Sequence, residues 1–249
     1  MSSLESWTLG SHSAGGISHP TYRKGSGPGV IVIHEIPGIT PAVLQFGEDV
    51  VARGFTVVMP SLFGRAGSEA TVLETVRSIA VVCVGREFTM FALERTTPVA
   101  TWLQSLAREL HRELGGPGVG AVGMCLTGGW LRPGDARRCA RGGAGTRSAG
   151  LARPGGQGAP SRPRAQPHDL ESIKAKVQAG CQVLGLRYEG DPAVGTRFDT
   201  LRRELGDNFI AVEFPGRKHA TLTEHRQQAG VRVLAYFDEK LKTPTESAP

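Results

Sequence analysis

Short runs of β-branched and other apolar residues alternate with amphipathic segments along this chain, and that alternation restricts its fold more than any other feature. The first run, residues 29–34 (GVIVIH), is typical of a strand buried on both faces. The segment from Pro41 to Arg53 follows it with apolar side chains at helical spacing. Strands that alternate with helices predict an α/β fold, in which a mostly parallel sheet lies between two layers of helices.

The same alternation places the other elements and groups residues 1–241 into one predicted domain, followed by a tail at residues 242–249 that we expect to be disordered. In parallel α/β sheets the chemistry gathers at the carboxyl ends of the strands, so residues that directly follow a strand are the first candidates for a site. Further strands are predicted at residues 55–59, 119–124, 181–187 and 209–213, and further helices at 69–84, 98–114, 169–179, 196–205 and 223–241.

A lone cysteine, Cys125, lies between small residues directly after an apolar run, in the segment VGAVGMCLTGG at residues 119–129. This pattern indicates a nucleophile elbow, a tight strand-turn-helix connection whose strained backbone tolerates only small neighbours. Free cysteine is also among the residue types most often buried in a core. The elbow alone therefore leaves two interpretations open: a reactive thiol, or a core cysteine at the end of a strand.

Two further reactive residues follow predicted strands, namely Asp191 and His219. A thiol is mostly protonated at neutral pH and needs a base or a positive charge to become a nucleophile. His219 can take the proton and later return it, while Asp191 can orient the imidazole. Alone, Asp191 before Pro192 is a common turn residue and His219 a common loop residue. Their order, nucleophile then acid then histidine, is the order found in α/β-hydrolases and makes the combination more specific.

At these residues the chain resembles the dienelactone hydrolase family of α/β-hydrolases, over residues 28–130 and 169–241. The resemblance implies a three-layer α/β-hydrolase fold and hydrolysis of esters or lactones through a Cys-His-Asp triad, with no metal and no other cofactor. The segments that carry it are IHEIPG at residues 33–38, GFTVVMPSLF at 54–63, the elbow at Cys125, LRYEGD at 186–191, and His219.

The resemblance also implies roles for residues outside the triad. Glu35 corresponds to the glutamate that contacts the resting cysteine and helps to generate the thiolate; the alternative is a solvated loop carboxylate. The backbone N–H groups of Ile36 and Leu126 correspond to the oxyanion hole, whose donors point at developing negative charge. The chain departs from the family at Thr127, where a glycine is usual, and because threonine is small we expect the turn to survive with altered crowding.

Substrate binding has two weaker candidates, Arg86 and Arg187. Family members of this kind bind a substrate carboxylate with arginines, but neither residue maps securely onto the family pattern. A surface ion pair is the alternative interpretation for each. The sequence does not identify the small-molecule ester or lactone, because specificity depends on the shape of the pocket.

Residues 130–168 break the pattern of the chain. They contain eight Arg, one Asp and no Lys, a charge of +7, whereas the rest of the chain has 21 basic and 22 acidic residues, or −1. The block has no Ile, Val or Phe and its only Leu residues are Leu131 and Leu151. An α/β-hydrolase needs an apolar helix and a core strand here. We therefore expect this central region to be irregular. If the block is a real part of the chain, we expect a gap in the sheet beside the nucleophile, with unpaired backbone groups.

The genetic code offers an origin for this block. Trp130 must be TGG, and permitted codons let residues 130–136 be written TGG CTT CGC CCT GGC GAT GC. Without its first base this string encodes Gly-Phe-Ala-Leu-Ala-Met, an apolar helix start of the type expected after an elbow. We hypothesise a reading-frame disruption near Gly129, with the frame restored shortly before Asp169.

Two alternatives to an active enzyme follow from this block. A frame-disrupted chain could keep the motifs and yet be a catalytically impaired pseudoenzyme. The net stability of a protein is a small difference of large terms, so the loss of a helix and a central strand could exceed it. A genuine basic insert could bind nucleic acid instead. Nucleic acid is the less favoured partner, because the block lacks interleaved aromatic residues that stack on bases, and only Trp130 lies at its border.

Cysteine usage and the first residues bear on the compartment. The four cysteines, Cys83, Cys125, Cys139 and Cys181, form no CxxC pair, which argues against a zinc site or disulfide framework and suits a reducing compartment. Residues 1–5 show no basic segment leading into an apolar run, and no apolar stretch reaches membrane length. We expect a cytoplasmic protein with no membrane partner, and a monomer is favoured.

Overall fold

The sheet of this protein has eight strands in the part of the chain that the computed structural model describes, residues 4–69, 71–84, 98–129, 143–145, 182–192, 194–195, 197–224 and 226–242. The spatial order is β1-β2-β4-β3-β5-β6-β7-β8. The strands are β1 Thr8–Ala14, β2 Ile17–Lys24, β3 Gly29–Ile33, β4 Thr56–Pro60, β5 Gly120–Gly123, β6 Gly143–Gly145, β7 Val183–Tyr188 and β8 Phe209–Phe214.

Helices connect the parallel strands. The first is capped by Thr40, whose hydroxyl accepts a hydrogen bond from the Val43 N–H at 3.4 Å, and Pro41 occupies its first turn, where no backbone donor is needed. No helix among the described residues is long and apolar enough to cross a membrane. The helices are α1 Pro41–Ala52, α2 Val72–Val84, α3 Pro98–Leu114, α4 Arg197–Leu205, α5 Thr221–Glu224 and α6 Arg226–Leu241.

Both faces of the sheet are buried at the central strands β3 and β4, as the continuous apolar runs predict. Along β3, Val30 and Val32 belong to the core cluster formed with α1 and α6, while Ile31 and Ile33 belong to the cluster formed with α3. A third cluster packs α4 against β7 and β8. All pairings from β4 to β8 are parallel. The predicted three-layer arrangement with a mostly parallel sheet is confirmed.

The hairpin of β1 and β2 was not predicted from the sequence. These strands pair antiparallel with each other, and β2 continues antiparallel onto β4. The buried side chains of the hairpin include His12, His19 and Thr21. Because these are polar, the hydrophobic periodicity that identifies a half-buried strand is weak here. The available signal was the Gly15–Gly16 pair, a common hairpin turn, in which both residues have positive φ.

The predicted gap in the sheet is wrong. Strand β6, residues 143–145 within the basic block, pairs in parallel with β5 on one side and with β7 on the other. Strand pairing uses backbone N–H and C=O groups, which every residue except proline carries in full, so a Gly-Ala-Gly segment can close a ladder without apolar side chains. The rest of residues 130–168 and the predicted helix at residues 169–179 lie outside the described residues.

The other predicted elements agree with the structure to within a few residues. The helix predicted at 98–114 has those bounds, and the one predicted at 69–84 begins at Val72. The helix predicted from 223 divides into α5 and α6. The boundary of the domain at residue 241 stays a prediction, and residues 243–249 lie outside the described residues.

Trp102 joins the unpredicted hairpin to α3. Its side chain is 1% exposed, its indole N–H donates to the His12 carbonyl oxygen at 3.1 Å, and the rings of His12 and His19 meet it edge-on. We expect Trp102→Ala to lower the free energy of unfolding by about 3–5 kcal/mol, measured by urea denaturation. The control, Val231→Ala at an exposed position of α6, should stay within about 0.5 kcal/mol of wild type. Equal midpoints for the two variants would contradict this anchoring role.

Candidate active site

Cys125 lies in a strained turn directly after β5. Its φ is +56°, in the left-handed region that disfavours non-glycine residues, and no other non-glycine residue that the structure describes has a positive φ. A Cβ on Gly123 would lie 2.7 Å from both the Cα and the N of Gly128, so the turn requires glycine there. A 3-10 helix, Cys125–Gly129, continues the chain where the strand-turn-helix pattern predicts a helix. This is the backbone geometry expected of a nucleophile elbow.

Thr127 fits the turn in place of the glycine that is usual in the family. Its side chain is fully buried, and its hydroxyl lies 2.8 Å from the Met124 carbonyl oxygen and 3.3 Å from the Ile33 carbonyl oxygen. The hydroxyl therefore ties the elbow to the end of β3. The turn is formed with threonine at this position, as expected, and the hydroxyl makes a hydrogen bond that glycine cannot make. The altered crowding stays a prediction.

Asp191 and His219 meet at the carboxyl ends of β7 and β8. The last register pair of these strands is Tyr188 with Phe214, and the loops beyond them are joined by a hydrogen bond from the Gly190 N–H to the Gly216 carbonyl oxygen at 2.9 Å. Beyond that bond, His219 Nδ1 lies 2.8 Å from Asp191 Oδ2, and the Asp191 side chain is 3% exposed.

The imidazole of His219 also contacts Cys125. A hydrogen bond with Cys125 is the largest of the effects that raise the pKa of His219 to about 9; burial opposes it, and the hydrogen bond and charge of Asp191 add to it. The sulfur, the imidazole and the carboxylate, which follow three different strands, therefore lie together at one edge of the sheet. His219 is the central member, since it contacts both of the others.

Arg197 brings a positive charge near this carboxylate. Burial lowers the pKa of its guanidinium, while the nearby charge of Asp191 acts in the opposite direction. Its Nη1 atom is buried and has no hydrogen-bond partner among the described residues. Arg197 therefore adds a cation to the charged groups at this edge of the sheet.

Glu35 follows β3 in the same way that Cys125 follows β5. Ile33 pairs with Gly123 in the parallel register, so Glu35 and Cys125 each lie two residues beyond this pair. The Glu35 carboxylate accepts a hydrogen bond from the Thr223 hydroxyl at 2.7 Å. Its predicted contact with the resting Cys125 stays a prediction.

His34, directly before Glu35, is fully buried and hydrogen-bonded through both ring nitrogens. The Leu62 N–H donates to Nε2 at 3.0 Å, which leaves the proton on Nδ1, and Nδ1 lies 3.0 Å from the Glu35 carbonyl oxygen. The Phe63 ring meets the imidazole edge-on. Burial lowers the pKa of His34 to about 4, so the imidazole is neutral at neutral pH.

The remaining predicted site residues are the two oxyanion donors and the two arginines proposed to bind substrate. Ile36 and Leu126 lie in the turns directly after β3 and β5, on neighbouring strand ends, and their role as oxyanion donors stays a prediction. Arg86 lies outside the described residues. Arg187 forms an ion pair with Glu213, its partner in the β7–β8 register, which is the alternative interpretation given for it.

Three residues of this region were not singled out from the sequence: Thr223, Arg197 and His34, the last noted only as part of a motif. Each owes its place to contacts between distant segments; Thr223, for example, meets a carboxylate 188 residues away. The only sequence signal for Thr223 was its position shortly after His219. Among the described residues, no group of three or more His, Cys, Asp or Glu side chains is placed to hold a metal ion.

The parallel sheet between helical layers, with the elbow at the end of β5, is the α/β-hydrolase fold. The chain belongs to the dienelactone hydrolase family, whose family model matches residues 16–228. This membership confirms the resemblance noted in the sequence and makes the protein a dienelactone hydrolase-like hydrolase. A search of curated protein sequences found no match.

Solved structures share this fold at low sequence identity. The dienelactone hydrolase-like promiscuous phosphotriesterase P91 from metagenomic libraries is 16% identical over 95% of this chain and 98% of its own, with a TM-score of 0.60. A cold-adapted esterase from an Arctic intertidal metagenomic library is 18% identical over 94% and 93%, with a TM-score of 0.58. TT1662 from Thermus thermophilus is 18% identical over 95% and 99%, with a TM-score of 0.57. At these identities the likeness shows the fold alone.

The contact between Cys125 and His219 predicts a titration that NMR can follow. Wild-type His219 should titrate with a pKa of about 9, and in Cys125→Ala this pKa should fall towards the ordinary value of about 6.5, because the largest effect that raises it is removed. His34, with a pKa of about 4, is the internal control and should not move. A pKa of His219 that is unchanged without the sulfur would show that the two side chains do not interact.

Proposed function

We propose that this protein hydrolyses ester or lactone bonds of small molecules, with Cys125 as nucleophile, His219 as proton carrier and Asp191 as the group that orients the imidazole. The observation that carries this proposal is the place of His219, which is hydrogen-bonded to Cys125 on one side and to Asp191 on the other. Nucleophile, base and orienting acid in mutual contact are the minimal arrangement for nucleophilic acyl transfer.

The first half of the reaction forms an acyl-enzyme. Because its pKa is raised to about 9, His219 is protonated at neutral pH and carries its positive charge beside the sulfur that acts as nucleophile. The thiolate attacks the carbonyl carbon, a C–S bond forms, and the carbonyl oxygen becomes an oxyanion that the N–H groups of Ile36 and Leu126 stabilise. The C–O bond then breaks, and the leaving alkoxide takes the proton of His219.

The second half releases the acid. Neutral His219 removes a proton from water, and the resulting hydroxide attacks the thioester carbonyl to give a second tetrahedral oxyanion. The C–S bond breaks, the thiolate leaves, and His219 is again protonated beside it. Asp191 holds the Nδ1 side of the ring in both halves, so Nε2 is the nitrogen that exchanges the proton. With a lactone, the alcohol and the acid remain in one product molecule.

The alternatives drawn from the basic block gain no support. The eight arginines that would form a nucleic-acid-binding surface lie outside the described residues, and strand β6 continues the sheet where a gap would have favoured an impaired protein. The cytoplasmic location and the monomeric state stay predictions.

Substitution of the nucleophile tests the proposed function directly. We expect Cys125→Ala to lower kcat for p-nitrophenyl butyrate, or for a simple lactone, on the order of 10³-fold or more, because no acyl-enzyme can form. The matched control is the same substitution at another cysteine, Cys83→Ala, which should keep the activity and its loss upon iodoacetamide treatment. Turnover that persists in Cys125→Ala, after subtraction of spontaneous hydrolysis, would refute the nucleophile assignment.

The raised pKa of His219 predicts the alkaline side of the pH profile. Raising a histidine pKa extends the protonated form to higher pH, so the imidazolium persists through neutral pH and is lost as pH rises through about 9. We expect kcat/KM to fall over that range, measured with Cys125→Ala as the blank for alkaline hydrolysis. A kcat/KM that keeps rising beyond pH 10 would contradict an essential imidazolium at this position.

A further inference from the structure

The peptide unit between Glu35 and Ile36 is held from one side by a buried histidine. Its carbonyl oxygen, on Glu35, lies 3.0 Å from His34 Nδ1, the ring nitrogen that carries the proton. The one cis peptide among the described residues is the next one, Ile36–Pro37, so the Glu35–Ile36 unit is trans. In a planar trans peptide the C=O and N–H bonds point in opposite directions. A hydrogen bond that fixes the Glu35 carbonyl therefore also fixes the direction of the Ile36 N–H.

The histidine itself is anchored. Its Nε2 accepts the Leu62 N–H from the loop after β4, the Phe63 ring packs against it edge-on, and its side chain is 0% exposed. The turn is held again beyond the peptide, where the Ser78 hydroxyl donates to the Pro37 carbonyl oxygen at 2.7 Å. Two buried contacts therefore hold this turn. Only the contact from His34 is made to an atom of the Glu35–Ile36 peptide itself, and the contact from Ser78 is made beyond it.

We propose that His34 is a positioning residue, which aims the Ile36 N–H at the oxyanion by holding the Glu35 carbonyl oxygen on the opposite side of the same peptide. This inference rests on the proposed function, in which Ile36 donates to the oxyanion. The oxyanion exists only in the transition state and the tetrahedral intermediates, so a misdirected donor lowers kcat while substrate binding, and with it KM, stays nearly constant.

Two substitutions separate positioning from simple support of the fold. In His34→Asn the side-chain amide reaches the place of Nδ1 and can still donate to the Glu35 carbonyl, but the bond from the Leu62 N–H is lost. In His34→Gln the amide reaches the place of Nε2 and can accept that N–H, but the bond to Glu35 is lost. Each variant loses one of the two hydrogen bonds and shrinks or reshapes the same buried side chain, so the two are matched for structural damage.

The experiment measures kcat and KM for p-nitrophenyl butyrate and the thermal midpoint for wild type, His34→Gln, His34→Asn and Cys125→Ala. We expect kcat to fall about 10- to 100-fold in His34→Gln, below the 10²- to 10³-fold cost of removing an oxyanion donor outright, with KM within about twofold. His34→Asn should keep kcat within about threefold of wild type. Wild-type kcat in His34→Gln, equal losses in both variants, or a loss expressed in KM would each overturn the positioning role.

The same series keeps the two proposals apart. An inactive Cys125→Ala together with a fully active His34→Gln contradicts only the role of His34. An active Cys125→Ala contradicts the proposed function, and the role of His34 with it.

Discussion

The parallel pairing of β3 with β5 is the constraint on which the site depends. Because Ile33 is in register with Gly123, the turn that begins at His34 and the elbow at Cys125 leave the sheet side by side. The hydroxyl of Thr127 strengthens this junction by reaching the Ile33 carbonyl oxygen. The proposed nucleophile and the proposed oxyanion donors therefore derive their relative positions from one short stretch of backbone hydrogen bonds in the buried centre of the sheet.

The charged groups around His219 add an electrostatic contribution to the geometry that the sheet sets. His219 is held between a sulfur and a carboxylate, and the half-buried guanidinium of Arg197 lies near the carboxylate. Opposite charges at close range attract one another, and partial burial strengthens that attraction. In the proposed mechanism the sulfur and the carboxylate on either side of His219 keep this imidazole protonated at neutral pH.

The sequence allowed the sheet centre and the three triad candidates to be predicted, because buried parallel strands are continuous apolar runs and reactive residues follow them. It failed where structure depends on the backbone or on distant partners. Strand β6 has no apolar signal, since glycine and alanine pair through backbone groups alone. The hairpin of β1 and β2 buries polar side chains such as His12. The contacts of His34 and Thr223 join segments whose proximity only the folded chain creates.

The central claim is that a covalent acyl group forms on the sulfur of Cys125. Mass spectrometry tests it most directly: the protein is mixed with p-nitrophenyl butyrate, quenched in acid within the first turnovers, digested and mapped. The account predicts a butyryl mass increment on the peptide that contains Cys125, removable by hydroxylamine as a thioester should be. A protein that hydrolyses the ester while the Cys125 peptide stays unmodified, or that carries the acyl group on another residue, would contradict it.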